Sequence, residues 1–153
     1  MATERSVFQP TVGQTDRYAR FVSDADVALF ALVTGDEHPL HLDMDYATTT
    51  QFEQRIIPVG LLNGLIEAAC AKTIPGYRGI FHRQTVEFPV PAFVDDEITV
   101  IITVTQVHLD MSHITCHIAV QRSDGIDVAC GDAEFLLVDL PPLPEDDPSL
   151  AGE

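Results

Sequence analysis

The order of apolar and polar positions divides the chain into an early helical part and a later stranded part. Ser23 opens the first clear helix: a serine cap, acids Asp24 and Asp26 in the first turn, then Val27, Phe30, Ala31 and Val33, with Gly35 as the stop. The two acids suit the positive end of the helix dipole. From Asp43 to Thr50 the pattern predicts a shorter helical turn that ends in a Thr48-Thr49-Thr50 run. The most apolar helix candidate lies between Pro58 and Thr73. It is apolar nearly all round and so predicts burial on most faces. Pro58 fits its start, and Pro75-Gly76 closes it. Gly60 and Gly64 fall on one face and would let another backbone come close.

After Gly79 the period changes to two. The stretches Gly79–Phe88, Asp96–Val107, Met111–Gln121 and Asp127–Leu137 alternate or run apolar with β-branched residues. Asp110 and Ser123-Asp124-Gly125 supply turns between them. Strands at hairpin distance pair antiparallel. The expected class is therefore α+β, with a sheet curled around one buried helix.

Length and composition add bounds to this picture. At 153 residues the chain is expected to form one domain over residues 1–140. The tail from Pro141 to Glu153 is rich in proline and acid and is expected to be extended or disordered. No apolar run approaches the ~18 residues that span a bilayer, and Met1-Ala2-Thr3-Glu4-Arg5 has no apolar signal region. The expectation is a soluble, cytoplasmic protein without a membrane partner. Cys70, Cys116 and Cys130 are scattered in apolar stretches, as reduced and buried thiols would be, rather than as a disulfide framework or a zinc site.

Charge changes the list of partners. There are 24 acids against 8 Lys+Arg, for a net charge of −16. A polyanion is repelled at long range, which excludes nucleic acid as a partner. An acidic surface with Lys72 as its single lysine suits concentrated salt, which screens the self-repulsion.

The chemical signal is concentrated in Phe30-Ala-Leu-Val-Thr-Gly-Asp-Glu-His-Pro-Leu-His-Leu-Asp-Met-Asp-Tyr-Ala47. Asp36 follows the helix stop, and His41 comes five residues later, past Pro39. Proline disfavours helix at His38, so both side chains are expected on an irregular loop. A carboxylate and an imidazole that converge on one water can orient it, take its proton and return one. By spacing alone, Asp36 as a turn residue and His41 as a half-buried histidine are the favoured reading over a catalytic pair.

The segment Leu32-Val-Thr-Gly-Asp-Glu-His-Pro-Leu-His-Leu-Asp-Met-Asp-Tyr-Ala47, followed by Thr49, Phe52 and Arg55-Ile56-Ile57, resembles the hydratase-2 motif of the MaoC-like family, which includes the (R)-specific enoyl-CoA hydratases. The likeness continues through Phe88-Pro-Val-Pro91, Asp95-Asp96-Glu97 and Gly131-Asp-Ala-Glu134. The resemblance implies a hot-dog fold, a long central helix wrapped by a curved antiparallel sheet. It implies reversible addition of water to a trans-2-enoyl thioester, giving the (R)-3-hydroxyacyl thioester on CoA or an acyl carrier protein. It further implies a homodimer, no cofactor and no metal, with Asp36 and His41 as the catalytic pair.

Two departures from the family pattern stand out. The central helix usually starts His-Gly-Met, whose glycine N–H helps to form an oxyanion hole. Here the stretch is Pro58-Val-Gly-Leu61, so Val59 or Gly60 would supply that amide. His38 stands where Asn is usual, and with His41, Asp43 and Asp45 it imitates a metal-ligand set without a fixed convergence. Glu67, on the central helix, is a further candidate for the substrate site. A thioesterase would use such a helix carboxylate, and an acyl-thioester binding module would turn nothing over; both remain alternatives. Lys72, Arg78 and Arg83 are the candidate phosphate contacts for CoA. His113 and His117 share one strand face, expected to be solvated, whereas Phe81, Phe88 and Phe93 are expected to fill core or line the acyl channel. The charge balance predicts a melting temperature that rises from dilute buffer to molar potassium chloride in a thermal scan; an unchanged value would contradict it.

Overall fold

The structure, a computed structural model, describes residues 9–140, so the Pro-rich tail lies outside the described residues. Four helices and five strands follow one another: β1 (Thr15–Val22), α1 (Asp24–Thr34), α2 (Pro39–Leu42), α3 (Met44–Thr48), α4 (Val59–Lys72), β2 (Gly79–Glu87), β3 (Asp96–His108), β4 (His113–Gln121) and β5 (Asp127–Leu137). Their ends agree closely with the expected helices and strands, apart from β1, which the alternation did not mark, and α2, where an irregular loop was expected. Its sequence, Thr-Asp-Arg-Tyr-Ala-Arg-Phe-Val, is mostly exposed. Charged side chains on an outer strand blunt its unpaired edge and erase the period-two signal.

The helix caps follow from local chemistry. Ser23 and Asp26 form a reciprocal capping box at the start of α1, and Gly35 closes it in the left-handed region at φ 77°. The backbone and side chain of Ser23, with help from Arg20, hold the Asp26 carboxyl below its ordinary range. Asp43 accepts from the Tyr46 N–H and so caps α3.

All five strands join one antiparallel sheet in the order β1-β3-β4-β5-β2. Register shifts interrupt β2/β5, β3/β4 and β4/β5, and such irregularities bend strands and strengthen twist. One face of the sheet carries Ile98, Val100, Ile102 and Val104 of β3, and Ile114, Cys116, Ile118 and Val120 of β4. These residues share a core with Leu62, Leu65, Ile66, Ala69 and Cys70 of α4. The central helix therefore lies against the concave sheet, the architecture expected from the period change. Each fully buried aliphatic contributes about 1.5–3 kcal/mol, whereas exposed ion pairs contribute about 0–1 kcal/mol. This helix–sheet seam dominates the energetics of the fold.

Cys70 and Cys116 face that seam, and burial pushes both thiols up to about 12. They are the inert core thiols that their apolar surroundings predicted; Cys130 is half-buried. His113 departs from expectation. Only 17% of its side chain is exposed, and it sits 3.8 Å from Glu134, whereas His117 on the same face is half exposed beside Asp132. The neighbouring rings of His82 and His108 cover His113.

Candidate active site

The segment between α1 and α4 carries the candidate chemistry, and a short series of hydrogen bonds shapes it. Gly35 ends α1, and the Thr34 hydroxyl donates to the Phe30 carbonyl at 2.7 Å. That same hydroxyl oxygen accepts from the Asp36 N–H at 3.2 Å, which turns the chain out of the helix. Pro39 then starts α2, as its fixed φ favours at a first helical position. His38 remains extended, as a residue before proline should. The expected irregular loop holds for Asp36 but not for His41, which lies in the single turn of α2.

His38 explains itself here. Its Nδ1 accepts from the Leu40 N–H at 3.1 Å and caps α2. An asparagine side-chain oxygen serves the same purpose at a helix start, so imidazole for amide keeps the local geometry. The apparent ligand cluster is thus committed to backbone contacts: His38 caps α2, Asp43 caps α3 and His41 bonds the chain below it.

The backbone of Ile56 places His41. The Ile56 N–H donates to the Leu40 carbonyl at 3.2 Å, and the Ile56 carbonyl lies 2.8 Å from His41 Nδ1. A carbonyl oxygen can only accept, so this bond requires the proton on Nδ1 and leaves Nε2 with its lone pair free. Nε2 lies 3.8 Å from an Asp36 carboxylate oxygen. That is too long for a direct hydrogen bond, but a water about 2.8 Å from both atoms would sit at an angle of about 85°. His41 is largely buried, at 13% side-chain exposure, while Asp36 is open at 44%. One partner is held rigidly and the other faces solvent.

The start of α4 lies three residues beyond Ile56, within about 11 Å of chain reach. No side chain caps it, so its first N–H groups are without intrahelical partners and point along the helix dipole. Val59 is 52% exposed. Gly60 is pressed against α1: an added Cβ would lie 2.6 Å from the tip of the Phe30 ring. The expected close approach at the glycine face is therefore a side chain at Gly60, and nothing closes on Gly64.

Gly60, Gly64 and Glu67 line one cavity of about 620 Å³ between α4 and β2, together with Asn63, Phe81 and Gln84. Asn63 accepts from Gln84 at 2.8 Å and ties the helix to the strand. Phe81 and Phe88 line this cavity too, as expected of channel aromatics, while Phe93 instead sits beneath the Arg122 guanidinium. A second, more apolar hollow of about 350 Å³ lies between α1 and α4, lined by Leu29, Phe30, Val33, Leu61 and Leu65. Gly64 borders both. Two groups thus form: Asp36 with His41, and Gly60 near the start of α4 with Glu67 two turns further along the same helix. Asp36 and His41 are not among the residues lining either cavity. Of the candidate phosphate contacts, Arg83 lines the cavity and pairs with Glu134 at 3.4 Å, whereas Lys72 lies over the Tyr18 ring.

A central helix packed against a five-stranded antiparallel sheet defines a hot-dog protein. A MaoC like domain matches residues 7–125. The (R)-specific enoyl-CoA hydratase of Aeromonas caviae is 35% identical over 122 residues, which cover 80% of this chain and 91% of that protein. The (R)-specific enoyl-CoA hydratase of Rhodospirillum rubrum is 37% identical over 93 residues, 61% of this chain and 65% of that protein. Among solved structures, the (R)-hydratase from A. caviae aligns with a TM-score of 0.82 at 33% identity, covering 86% of this chain and 99% of that one. An R-hydratase from Pseudomonas aeruginosa aligns at 0.80 and 34% identity, covering 90% and 92%. The chain belongs to the MaoC-like family.

The sequence left the backbone of Ile56 out of the site, because a carbonyl has no residue signature. It also left Phe30 out, although its place on the inner face of α1 opposite a helix start was a usable signal. The cap geometry predicts that His38→Ala lowers stability by about 1 kcal/mol in urea unfolding, while His38→Asn stays within a few tenths. Equal losses from both variants would contradict the capping role.

Proposed function

We propose that this protein is a hydro-lyase that reversibly hydrates trans-2-enoyl-CoA to (R)-3-hydroxyacyl-CoA. The observation that carries this reading is the Asp36–His41 pair, 3.8 Å apart, with His41 Nε2 left free to accept by the Ile56 carbonyl. The A. caviae and R. rubrum relatives named (R)-specific enoyl-CoA hydratase support it. So does the relative from Methylorubrum extorquens named 3-hydroxybutyryl-CoA dehydratase, 34% identical over 95 residues.

The chemistry follows from the placement. Water held by Asp36 and His41 gives its oxygen to C3 of the enoyl group, and a proton arrives at C2. The alkene π bond breaks, while one C–O and one C–H bond form. In between, charge gathers on the thioester oxygen, and N–H groups at the start of α4, from Val59 or Gly60, are suited to stabilise it. The imidazole takes a proton of the water and the pair returns one, so no net proton is consumed. Glu67 and the Asn63–Gln84 pair give the α4–β2 cavity a polar wall for the substrate beyond the reacting carbons.

Among the described residues, β1 and β2 end the sheet with one edge each unpaired, and a homodimer covers such an edge. Light scattering that gave a monomer mass at working concentration would remove this part of the reading.

Asp36→Asn and His41→Asn should each lower crotonyl-CoA hydration by about 10²-fold or more, read as loss of enone absorbance. A parallel free-thiol assay should stay silent. Variants within tenfold of wild type would overturn the assignment of the pair, and thiol release without loss of the enone would favour the thioesterase reading that Glu67 keeps open.

A further inference from the structure

The positioning of His41 does not end at Ile56. Ile56 stands opposite Phe93 in an isolated antiparallel bridge. Two backbone bonds fasten it: the Ile57 N–H to the Ala92 carbonyl at 2.8 Å, and the Val94 N–H to the Arg55 carbonyl at 3.1 Å. The other strand of this bridge, Pro91–Val94, lies in the connection between β2 and β3 and has no helix or sheet of its own to stiffen it. Ala92 seats in the core, the Asp95 N–H just beyond the stretch donates to the Val22 carbonyl of β1 at 2.8 Å, and one side chain clamps the other end. Arg122, in the hairpin that joins β4 to β5, donates from Nη1 to the Pro91 carbonyl at 3.1 Å. Its guanidinium carbon lies 5.1 Å from the centre of the Phe93 ring.

The guanidinium is itself fixed. Nε and Nη2 donate to the two oxygens of Asp124 at 3.2 and 2.8 Å, a forked pairing that sets the plane of the group. The Arg122 N–H donates to the Ile126 carbonyl at 3.0 Å, so the turn anchors the residue. Only 12% of the side chain is exposed. Covering a cation in a chain with 8 Lys+Arg against 24 acids costs solvation that exposed positions would not. The compensating contacts are the Pro91 carbonyl, the Phe93 ring and Asp124.

We propose that Arg122 is a positioning residue for the hydration reaction, acting through Pro91, Phe93 and Ile56 to fix the imidazole of His41. The path is continuous: Arg122 holds Pro91–Phe93, the bridge holds Ile56, and Ile56 grips α2 at the Leu40 carbonyl and at His41 Nδ1. Each link is a hydrogen bond or a ring contact with defined direction. Loss of the first link loosens the Pro91–Phe93 side of the bridge, and a displacement of about 1 Å at a reacting group costs on the order of 10²-fold in rate.

This inference rests on the hydratase reading, and the test separates the two. Arg122→Gln, Arg122→Lys and Phe93→Leu are compared with wild type for kcat and KM on crotonyl-CoA, below their measured unfolding temperatures. The imidazole resonances of His41 are followed in the same samples. Ser23→Ala, which weakens the α1 cap, serves as a control for loss of stability alone. The expected result is a fall in kcat of about 10- to 100-fold in Arg122→Gln with KM within about twofold, and a displaced His41 resonance. Arg122→Lys keeps a cation over Phe93 and should recover part of both. Ser23→Ala should move neither. If Arg122→Gln fails to fold, Phe93→Leu probes the same path with the Arg122–Asp124 pair intact and should lower kcat with the same His41 displacement. A kcat within twofold of wild type in the folded variant, or a His41 resonance that does not move, overturns the proposal. Wild-type protein that does not hydrate crotonyl-CoA removes the hydratase reading instead, and the His41 resonance alone then decides whether Arg122 positions the ring.

Discussion

Two hydrogen bonds from the backbone of a single residue hold the candidate site together. Ile56 donates to the Leu40 carbonyl and accepts from His41 Nδ1, so one short extended stretch grips the single turn of α2 at two points. A helix of four residues has too few internal bonds to hold itself. Without this grip α2 would have only its cap at His38 and its junction with α3. With it, the imidazole tautomer is set, Nε2 faces Asp36, and the free lone pair is available to a water. The rest of the arrangement serves this grip: α1 ends where Asp36 must turn out, α4 begins three residues beyond Ile56, and the sheet holds α4 through its apolar face.

In the proposed reaction the helix start and the pair would divide the work by their environments. Asp36 is open to solvent and His41 is largely covered, which suits a water that must enter before it is activated. The first N–H groups of α4 carry positive potential where the thioester oxygen would gather charge. Gly60 meets two demands at once, since its missing side chain admits the Phe30 ring and also leaves the helix start clear.

Much of this was legible in the sequence wherever one side chain reports its own environment. Ser23 and Gly35 marked the ends of α1 within a residue, and the strand run from Gly79 was read from β-branched alternation. The Asp36 and His41 positions were legible only through the surrounding motif, because a five-residue separation has no fixed geometry. The structure brings the two side chains near each other because Gly35 turns the chain out of α1 just before Asp36, and Pro39 starts the turn of α2 that carries His41. What stayed hidden was carried by backbone atoms or by long-range contact. The β1 edge strand lacked alternation, the Ile56 carbonyl has no letter of its own, and the Arg122–Phe93 contact joins the β4–β5 turn to the distant β2–β3 connection. His38 was hidden differently: its side chain imitates a metal ligand, and only the 3.1 Å bond to Leu40 shows it capping a turn.

The central claim is that the Ile56 carbonyl fixes His41 with its proton on Nδ1 and its lone pair on Nε2. Nitrogen-resolved NMR of the labelled protein, above the ordinary imidazole titration range of about pH 6.5, measures this directly. The account predicts a protonated Nδ1 and a bare Nε2 at His41. A proton found on Nε2 would contradict it, because that ring could neither bond the Ile56 carbonyl nor take a proton from the water beside Asp36.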